Sequence, residues 1–532
     1  MNITRTILVL MIGLTIGFGV GNRYNRTSGV ITWEDNPKKE KFNRLVDYLD
    51  NEYVTEVNTD SIVEVAINDI LSKLDPHSTY ISSRDAISIG ERMQGDFIGI
   101  GVNYYVKNDT IAVISTIPKG PSARAGILSG DRILMANNDT LYGKFSKDED
   151  LIDKLKGKAG SKVKLLVHRP QTGNLSIDVK RGKVPLESVE AAFMLTQEMG
   201  YIKIERFAET TYVEFKKALK HLQRKHKLKS LVLDLRQNGG GYVRPALKIA
   251  DEFLEDDKMI MFTKNRVGKI QESIATDDGE FEEGQVYVLI DENSASASEI
   301  LAGALQDNDK GTIIGRRSYG KGLVQREMDL GDGSMVRLTV SQYFTPTGRS
   351  IQRSYKDGKD AYNKEYLERY DSGELQDSSK IKIADSLVFT TPKGKVVYGG
   401  GGIIPDMYVE KSKDRNVEVL EFAEYSGVLS RFVFNELDTN RNYYNKLSKQ
   451  DLQNLDITDI FIKAFKVYSE EKGLEFSGAS ANGLIATHLR AEMAKQLFNT
   501  NFSYKILSES DSMIKRVFEL EGAGVNWQAV SD

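Results

Sequence analysis

The sequence contains no cysteine, and only 2 tryptophans and 5 histidines among 532 residues. Without thiols there is no disulfide framework, thiolate zinc site, iron–sulfur cluster, cysteine nucleophile or lipidated N-terminal cysteine. The scarcity of histidine bears on mechanism, because a hydrolase built from this chain has few imidazoles to use as a base. An excess of charge of one sign is also missing. The 72 basic and 76 acidic side chains leave a formal net charge of −4, which is no electrostatic footprint for nucleic acid. Long apolar runs are confined to one place near the N-terminus. What is there, 40% hydrophobic and 28% charged residues, describes a globular body, and the length predicts about three or four domains.

The single apolar run, Ile7 to Val20, is shorter than the ~20 residues of a full membrane span but suits the hydrophobic region of a signal sequence. Arg5 precedes it and the polar stretch Asn22 to Thr27 follows. Residues 1–21 are therefore expected to be a signal peptide or an uncleaved signal anchor. The body is then exported, to a bacterial periplasm or cell envelope, and held at the inner membrane if the segment is retained.

Beyond it, residues 38–93 read as helical: Phe42, Leu45, Val46, Leu49 and Tyr53 fall at helical spacing, and Ile62, Val65, Ala66 and Ile70 repeat it. A turn, Leu74-Asp75-Pro76-His77-Ser78, breaks the pattern. Residues 94–182 change to short β-rich runs such as Ile111–Ile114 and Val163–Val167. Residues 183–410 read as α/β, with buried-looking strands at Leu231–Leu235 and Val286–Ile290, each followed by a helical pattern. Residues 411–532 are helical again and rich in charge. The expected fold is a multidomain α/β chain: a β-rich module and an α/β core between helical N- and C-terminal regions.

In the β-rich stretch, Gly95-Asp96-Phe97-Ile98-Gly99-Ile100-Gly101-Val102 sets closely spaced glycines at the start of a strand. Such a loop can turn several backbone N–H groups toward one point, as capture of a peptide's terminal carboxylate requires. It can also be no more than a tight turn. The later blocks Gly120 to Ile127, Gly130 to Leu134 and Asp148 to Leu155 make the whole stretch resemble a PDZ domain, and by that resemblance Gly99, Ile100 and Gly101 hold the carboxylate.

Three further blocks point to chemistry. The strand Val286–Ile290 ends in Asp291-Glu292-Asn293-Ser294-Ala295-Ser296-Ala297-Ser298-Glu299, ahead of an apolar helical pattern. A serine between strand and helix is well placed as a nucleophile, since a helix N-terminus favours developing negative charge. Three serines compete, and any of them could instead be a helix cap. The histidines, His77, His168, His221, His226 and His488, are all remote in sequence. Lys321, flanked by Gly320 and Gly322 between apolar strands, is an alternative base if burial lowers its pKa by roughly 3–4 units. The pattern Gly315-x-x-x-x-Gly320-Lys321 imitates a phosphate-binding loop, but Gly322 stands where the magnesium-binding hydroxyl belongs and a strand follows in place of a helix. The third block, Gly239-Gly240-Gly241 after the strand Leu231–Leu235, leaves backbone N–H groups able to face an oxyanion.

Together with Leu74–Ser78, Gln306-Asp307, Tyr343 to Arg349 and Gly402 to Asp406, these blocks resemble the C-terminal processing (tail-specific) peptidases, serine peptidases with a Ser–Lys dyad. The resemblance spans roughly residues 38–410. It implies Ser296 as nucleophile, Lys321 as general base and Gln325 as the group orienting the lysine. It further implies an oxyanion hole around Gly240, Gly241 and Ala297, with Asp307 in support. One departure is Gly239, where the family loop often carries proline. The resemblance calls for no metal or organic cofactor, and its partners are proteins or peptides with free C-termini, with no nucleic acid. The helical region 411–532 is expected to serve adaptor binding, self-association or gating. The competing reading is a non-catalytic PDZ adaptor on an inactive peptidase scaffold.

Overall fold

A computed structural model of the chain describes residues 37–107, 109–143, 148–383, 387–479 and 481–522; the expected signal segment lies outside them. The chain divides into two compact units, Met1–Leu71 and Ser72–Asp532. The first contains helix Pro37–Asn51 and nearly all of helix Thr59–Ser72, whose start is capped by the Asn58 side chain accepting the Ser61 N–H at 3.0 Å.

The second unit opens on the turn at Asp75–Ser78 and a strand, β1 (Thr79–Ile81), before helix Ser83–Gln94. This strand departs from the helical expectation for 38–93. Three residues are too few to show alternation, and the strand exists because Thr79 to Ile81 pair antiparallel with Arg337 to Met335 far along the chain. The helix that follows stops at Gly95, whose left-handed φ of +84° ends it in the usual glycine manner.

Next comes the β-rich module. Strand β2 (Asp96–Gly99) pairs with β9 (Gly182–Pro185). Between them lies an antiparallel sheet of β3 (Val102–Lys107), β4 (Thr110–Thr116), β5 (Arg132–Ala136), β7 (Lys162–Arg169) and β8 (Gly173–Lys180), with the short β6 (Asp139–Thr140) beside β5. Val163, Leu165 and Val167 alternate into the core beside Ile111, Val113 and Ile133, as a sheet with one covered face requires. Strand β3 is an edge strand of this sheet, and helix Asp148–Leu155 contributes Leu151 and Leu155 to the same core.

The α/β core is a six-stranded sheet in the order β10 (Val189–Met194), β11 (Met199–Ile204), β12 (Ser230–Asp234), β15 (Gln285–Ile290), β16 (Gly311–Gly315), β21 (Met407–Tyr408). The strands from β11 to β21 run parallel and β10 is antiparallel at the edge. Their near-continuous apolar sequences follow from burial on both faces. On one face lie helices Thr211–Lys225, Val243–Asp251 and Ala297–Asp307. The other face is covered by Met513, Ile514, Val517 and Phe518 of helix Ser512–Leu520, packed against Tyr201, Leu289 and Ile314. The last described helix of the C-terminal region is thus a layer of the core, and Arg236 after β12 pairs with Asp511 at its start, at 2.6 Å.

A second sheet joins β1 to β18 (Met335–Phe344), which pairs on its way with β13 (Met259–Asn265) and β17 (Leu323–Asp329); β14 (Ile270–Ile274) flanks β13. A small hairpin, β19 (Val388–Thr390) and β20 (Val396–Tyr398), follows helix Lys359–Asp371. The remaining helices, Arg415–Tyr425 through Thr500–Ser508, bury their own core around Phe432, Phe465, Ile485 and Leu489.

Candidate active site

Strand β15 ends at the centre of the parallel sheet, where its C-terminal edge delivers the serine-rich turn. The structure separates the three serines by burial and bonding. Ser294 and Ser298 are fully buried. The Ser294 hydroxyl donates to the Leu235 carbonyl at 2.9 Å, and that of Ser298 donates to the Asn238 carbonyl at 2.9 Å. Both are fastenings between the serine turn and the glycine loop. Ser296 alone is partly exposed. It sits at the N-terminus of helix Ala297–Asp307 with φ +57° and ψ −110°, a conformation that costs a non-glycine residue about 1–3 kcal/mol and persists only when its surroundings impose it. The packed helix and the two buried serines on either side impose it here.

The glycine loop lies directly against this residue. A side chain at Gly240, which has φ +99°, would put its first carbon 2.8 Å from Ser296 Cβ and 3.0 Å from the Ala297 nitrogen. Only glycine allows that approach. The Gly240 N–H is taken up within the loop by Asn238 Oδ1 at 2.9 Å, while the Gly241 and Ala297 N–H groups have no acceptor among the described residues. Of the three groups expected to face an oxyanion, two are therefore available and Gly240 supplies closeness instead.

Lys321 stands before β17, in a loop bound to the serine turn by Glu299. That carboxylate, 1% exposed, accepts the Ser296 N–H at 2.8 Å and the Lys321 N–H at 2.9 Å on one oxygen. On the other it accepts the Gly320 N–H at 2.6 Å and the Ser318 hydroxyl at 2.5 Å. Burial pushes the Glu299 carboxyl above its ordinary range against the pull of these bonds. Its place three residues into the helix after Ser296 is the S-x-x-E pattern of a capping box, the one sequence signal that could have revealed it.

The Lys321 ammonium donates to Gln325 Oε1 at 2.8 Å, and Gln325 Nε2 donates to the His77 carbonyl at 2.6 Å. A register shift in the β17–β18 ladder between Val324 and Gln325 accompanies this inward reach. Burial first, and then the Arg337 guanidinium, lower the Lys321 pKa from its ordinary 10.5 to about 8; Glu299 and Asp75 pull the other way. About a tenth of the amine is thus neutral at pH 7, against well under a thousandth for an ordinary lysine, as a base requires. His77, remote in sequence, reaches this site through its backbone. Its imidazole bonds the Tyr362 hydroxyl at 3.1 Å, and burial followed by the nearby Lys321 charge lowers its pKa to about 4, so it is neutral. The lysine loop is further braced by helix Lys359–Asp371, where Arg369 donates to the Ser318 carbonyl at 2.8 Å.

Asp307 is not brought to the serine. It lies at the far end of helix Ala297–Asp307, roughly 15 Å along the axis at 1.5 Å per residue. There it pairs with fully buried Arg349 at 2.6 Å and accepts the Thr347 hydroxyl at 2.6 Å, fixing that turn. The expectation of support beside the nucleophile is corrected accordingly, because a helix carries its two ends apart.

The glycine turn of the β-rich module is also open. The Ile100 and Gly101 N–H groups lack an acceptor among the described residues, and Gly101 adopts φ +72° where β2 passes into edge strand β3. Gly99 closes β2, paired with Gly182.

A family profile described as Peptidase family S41 matches residues 198–358, and the carboxy-terminal-processing protease of Bartonella bacilliformis is 34% identical over 325 residues, 60% of this chain and 74% of that protein. The chain belongs to peptidase family S41. A PDZ domain profile matches residues 98–180, and a family of unknown function (DUF8443) matches residues 422–499. Carboxy-terminal processing protease CtpB of Bacillus subtilis is 35% identical over 318 residues, 59% of this chain and 65% of that one. A probable CtpA-like serine protease of Staphylococcus haemolyticus is 31% identical over 349 residues, 65% and 68% of the two chains. This S41 chain is a serine-type peptidase with a PDZ domain acting on protein or peptide substrates, and the non-catalytic reading falls.

Beyond the two sites, the PDZ domain of this S41 peptidase is tied to its C-terminal helices. The Tyr105 hydroxyl of β3 donates to Asn435 at 2.6 Å, and its ring meets Phe434 edge-on at 4.8 Å between centroids. Asp438 pairs with Arg132 at 2.5 Å and with Lys107 at 3.5 Å.

Proposed function

We propose that this peptidase cleaves exported proteins internally after selecting them by their C-terminal tails, with Ser296 as nucleophile and Lys321 as base. The observation that carries the chemistry is that the one partly exposed serine of the turn and a buried lysine donate their backbone N–H groups to a single Glu299 oxygen. Neutral Lys321 takes the proton of the Ser296 hydroxyl as Oγ bonds the scissile carbonyl carbon. The resulting oxyanion is received by the Gly241 and Ala297 N–H groups at the positive end of the helix. Collapse breaks the C–N bond, and the Lys321 ammonium returns its proton to the leaving amine. Water then attacks the acyl ester, giving its proton to Lys321, and Ser296 leaves with that proton as the product acid departs.

The tail is bound by the Ile100 and Gly101 N–H groups, with the rest of the peptide added along β3. Export rests on the apolar run Ile7 to Val20. The helices of 411–522 offer surface for an adaptor or a second copy. The test is cleavage of an unstructured protein carrying either an apolar or a charged C-terminus. The apolar tail is cut faster, and both activities vanish in Ser296→Ala and Lys321→Ala. Equal rates for the two tails overturn tail selection, and undiminished cleavage by the variants overturns the dyad.

A further inference from the structure

We propose that Asp75 is a positioning residue for the peptidase reaction: by shaping the turn Asp75–Ser78 it aims the His77 carbonyl at Gln325, which holds Lys321. The proposal rests on the assignment of Lys321 as base and goes beyond it, since it gives the Leu74–Ser78 block a role.

One carboxylate organises this turn. Asp75 Oδ1 accepts the His77 N–H at 2.8 Å, the Ser78 N–H at 2.9 Å and the Thr339 hydroxyl at 3.1 Å, and Oδ2 accepts the Ser78 hydroxyl at 2.6 Å. Ser78 Oγ in turn accepts the Thr339 N–H at 3.2 Å. The turn is thereby fixed to β18 before β1 continues along it, Thr79 opposite Arg337. On the other edge of β18, Thr339 stands opposite Gln325 in the β17 ladder. Asp75 and Gln325 thus grip the same residue of the same strand from opposite sides.

The chemistry of an amide makes this geometry consequential. Gln325 has one accepting end and one donating end. With Nε2 committed to the His77 carbonyl at 2.6 Å, Oε1 faces the Lys321 amine at 2.8 Å. Remove that carbonyl, and a half-turn of the amide sets donor against donor, leaving the lysine unaimed. The element that matters is the backbone of His77, because its ring is engaged by Tyr362. The charged or titratable groups facing Lys321 are Arg337, Glu299, Asp75 and neutral His77. Of these, Asp75 contributes both negative charge and, through the turn, the Gln325 acceptor; each stabilises the ammonium.

The experiment is a double-variant cycle read by steady-state kinetics across pH. Asp75→Ala lowers kcat about 100-fold, the scale of a reacting group misplaced by an ångström, leaves KM nearly unchanged and moves the acid limb of the rate profile to lower pH. Asp75→Asn, which keeps an oxygen for the turn's N–H groups, recovers most of kcat. In a Gln325→Ala background, Asp75→Ala costs no further plateau kcat, since both position the lysine through one contact, and only the part of the acid-limb shift due to the Asp75 charge remains. Should Asp75→Ala fail to fold by urea titration, Asp75→Ser, with one acceptor only, carries the same cycle. An equal loss from Asp75→Ala in both backgrounds, or a lowered plateau with an unmoved acid limb, overturns the positioning role. Full activity of Gln325→Ala would instead overturn the orientation of the base, a separate failure.

Discussion

Ser296 and Lys321 donate their backbone N–H groups to the same oxygen, Glu299 Oε2, at 2.8 and 2.9 Å. The serine turn and the lysine loop, twenty-odd residues apart, are therefore registered to one another through a buried carboxylate, beside a direct backbone bond from the Tyr319 N–H to the Ser294 carbonyl at 3.0 Å.

Glu299→Gln retains the size of this group but places an amide donor where two N–H groups or a hydroxyl and an N–H now point. Leaving buried donors unpaired costs about 1–3 kcal/mol each. We expect a fall in stability of at least about 2 kcal/mol by urea titration and a loss of kcat of about 100-fold or more, because the registry of Ser296 and Lys321 goes with it. Retained kcat in a folded Glu299→Gln would show that registry comes from elsewhere.

Lys321 is held in a place that opposes its charge. A folded-state pKa lowered from 10.5 to about 8 corresponds to roughly 3 kcal/mol of lost stability wherever the lysine is protonated in both the folded and unfolded states. The penalty is complete below pH ~8 and disappears as pH rises toward 10.5, where both states are neutral. Lys321→Met, made in a Ser296→Ala background to prevent self-cleavage, is therefore stabilised by up to about 3 kcal/mol at pH 7, with the difference closing by pH 10.5. A Met variant less stable than its parent at pH 7 contradicts the buried-base account.

How much of this was legible in the sequence depended on whether a residue acts where it stands. Strands β12 and β15 were readable because burial on both faces forces unbroken apolar runs, and the glycine triplet and serine turn follow them as chain punctuation. Lys321 between two glycines was readable as oddly placed. The choice among Ser294, Ser296 and Ser298 was left open by their pattern and became physical only when two of them were found donating to carbonyls of the glycine loop. The Glu299 hub, the Asp75 turn and the three-residue strand β1 depend on pairing across more than 240 residues of chain in the last two cases, with Gln325 against His77 and Thr79 against Arg337; no local periodicity encodes such contacts. Asp307 shows the converse: a position expected from the resemblance to support the site stands at the far end of helix Ala297–Asp307.

The contact between the PDZ domain and the C-terminal helices centres on Asp438, which offsets Arg132, Lys107 and Arg441 around the Phe434 ring. Asp438→Ala leaves three cations facing one another without a counter-charge, a loss of about 1–3 kcal/mol localised at this contact. Hydrogen exchange should report reduced protection in β3, β5 and the helix Val428–Thr439, with the parallel sheet unchanged. Uniform loosening of the whole chain, or no change in β3 and β5, would contradict a contact held by this residue.

On the proposed mechanism Lys321, with a pKa near 8, activates Ser296, and acylation can be watched directly. The rate at which an ester substrate acylates the enzyme, followed by rapid quench and intact-mass spectrometry across pH 5 to 10, should rise along a single limb with apparent pKa near 8. The adduct should map to Ser296, and Lys321→Met should abolish it. An adduct on another residue, a limb centred near 6.5 as for an ordinary imidazole, or undiminished acylation of Lys321→Met would contradict it.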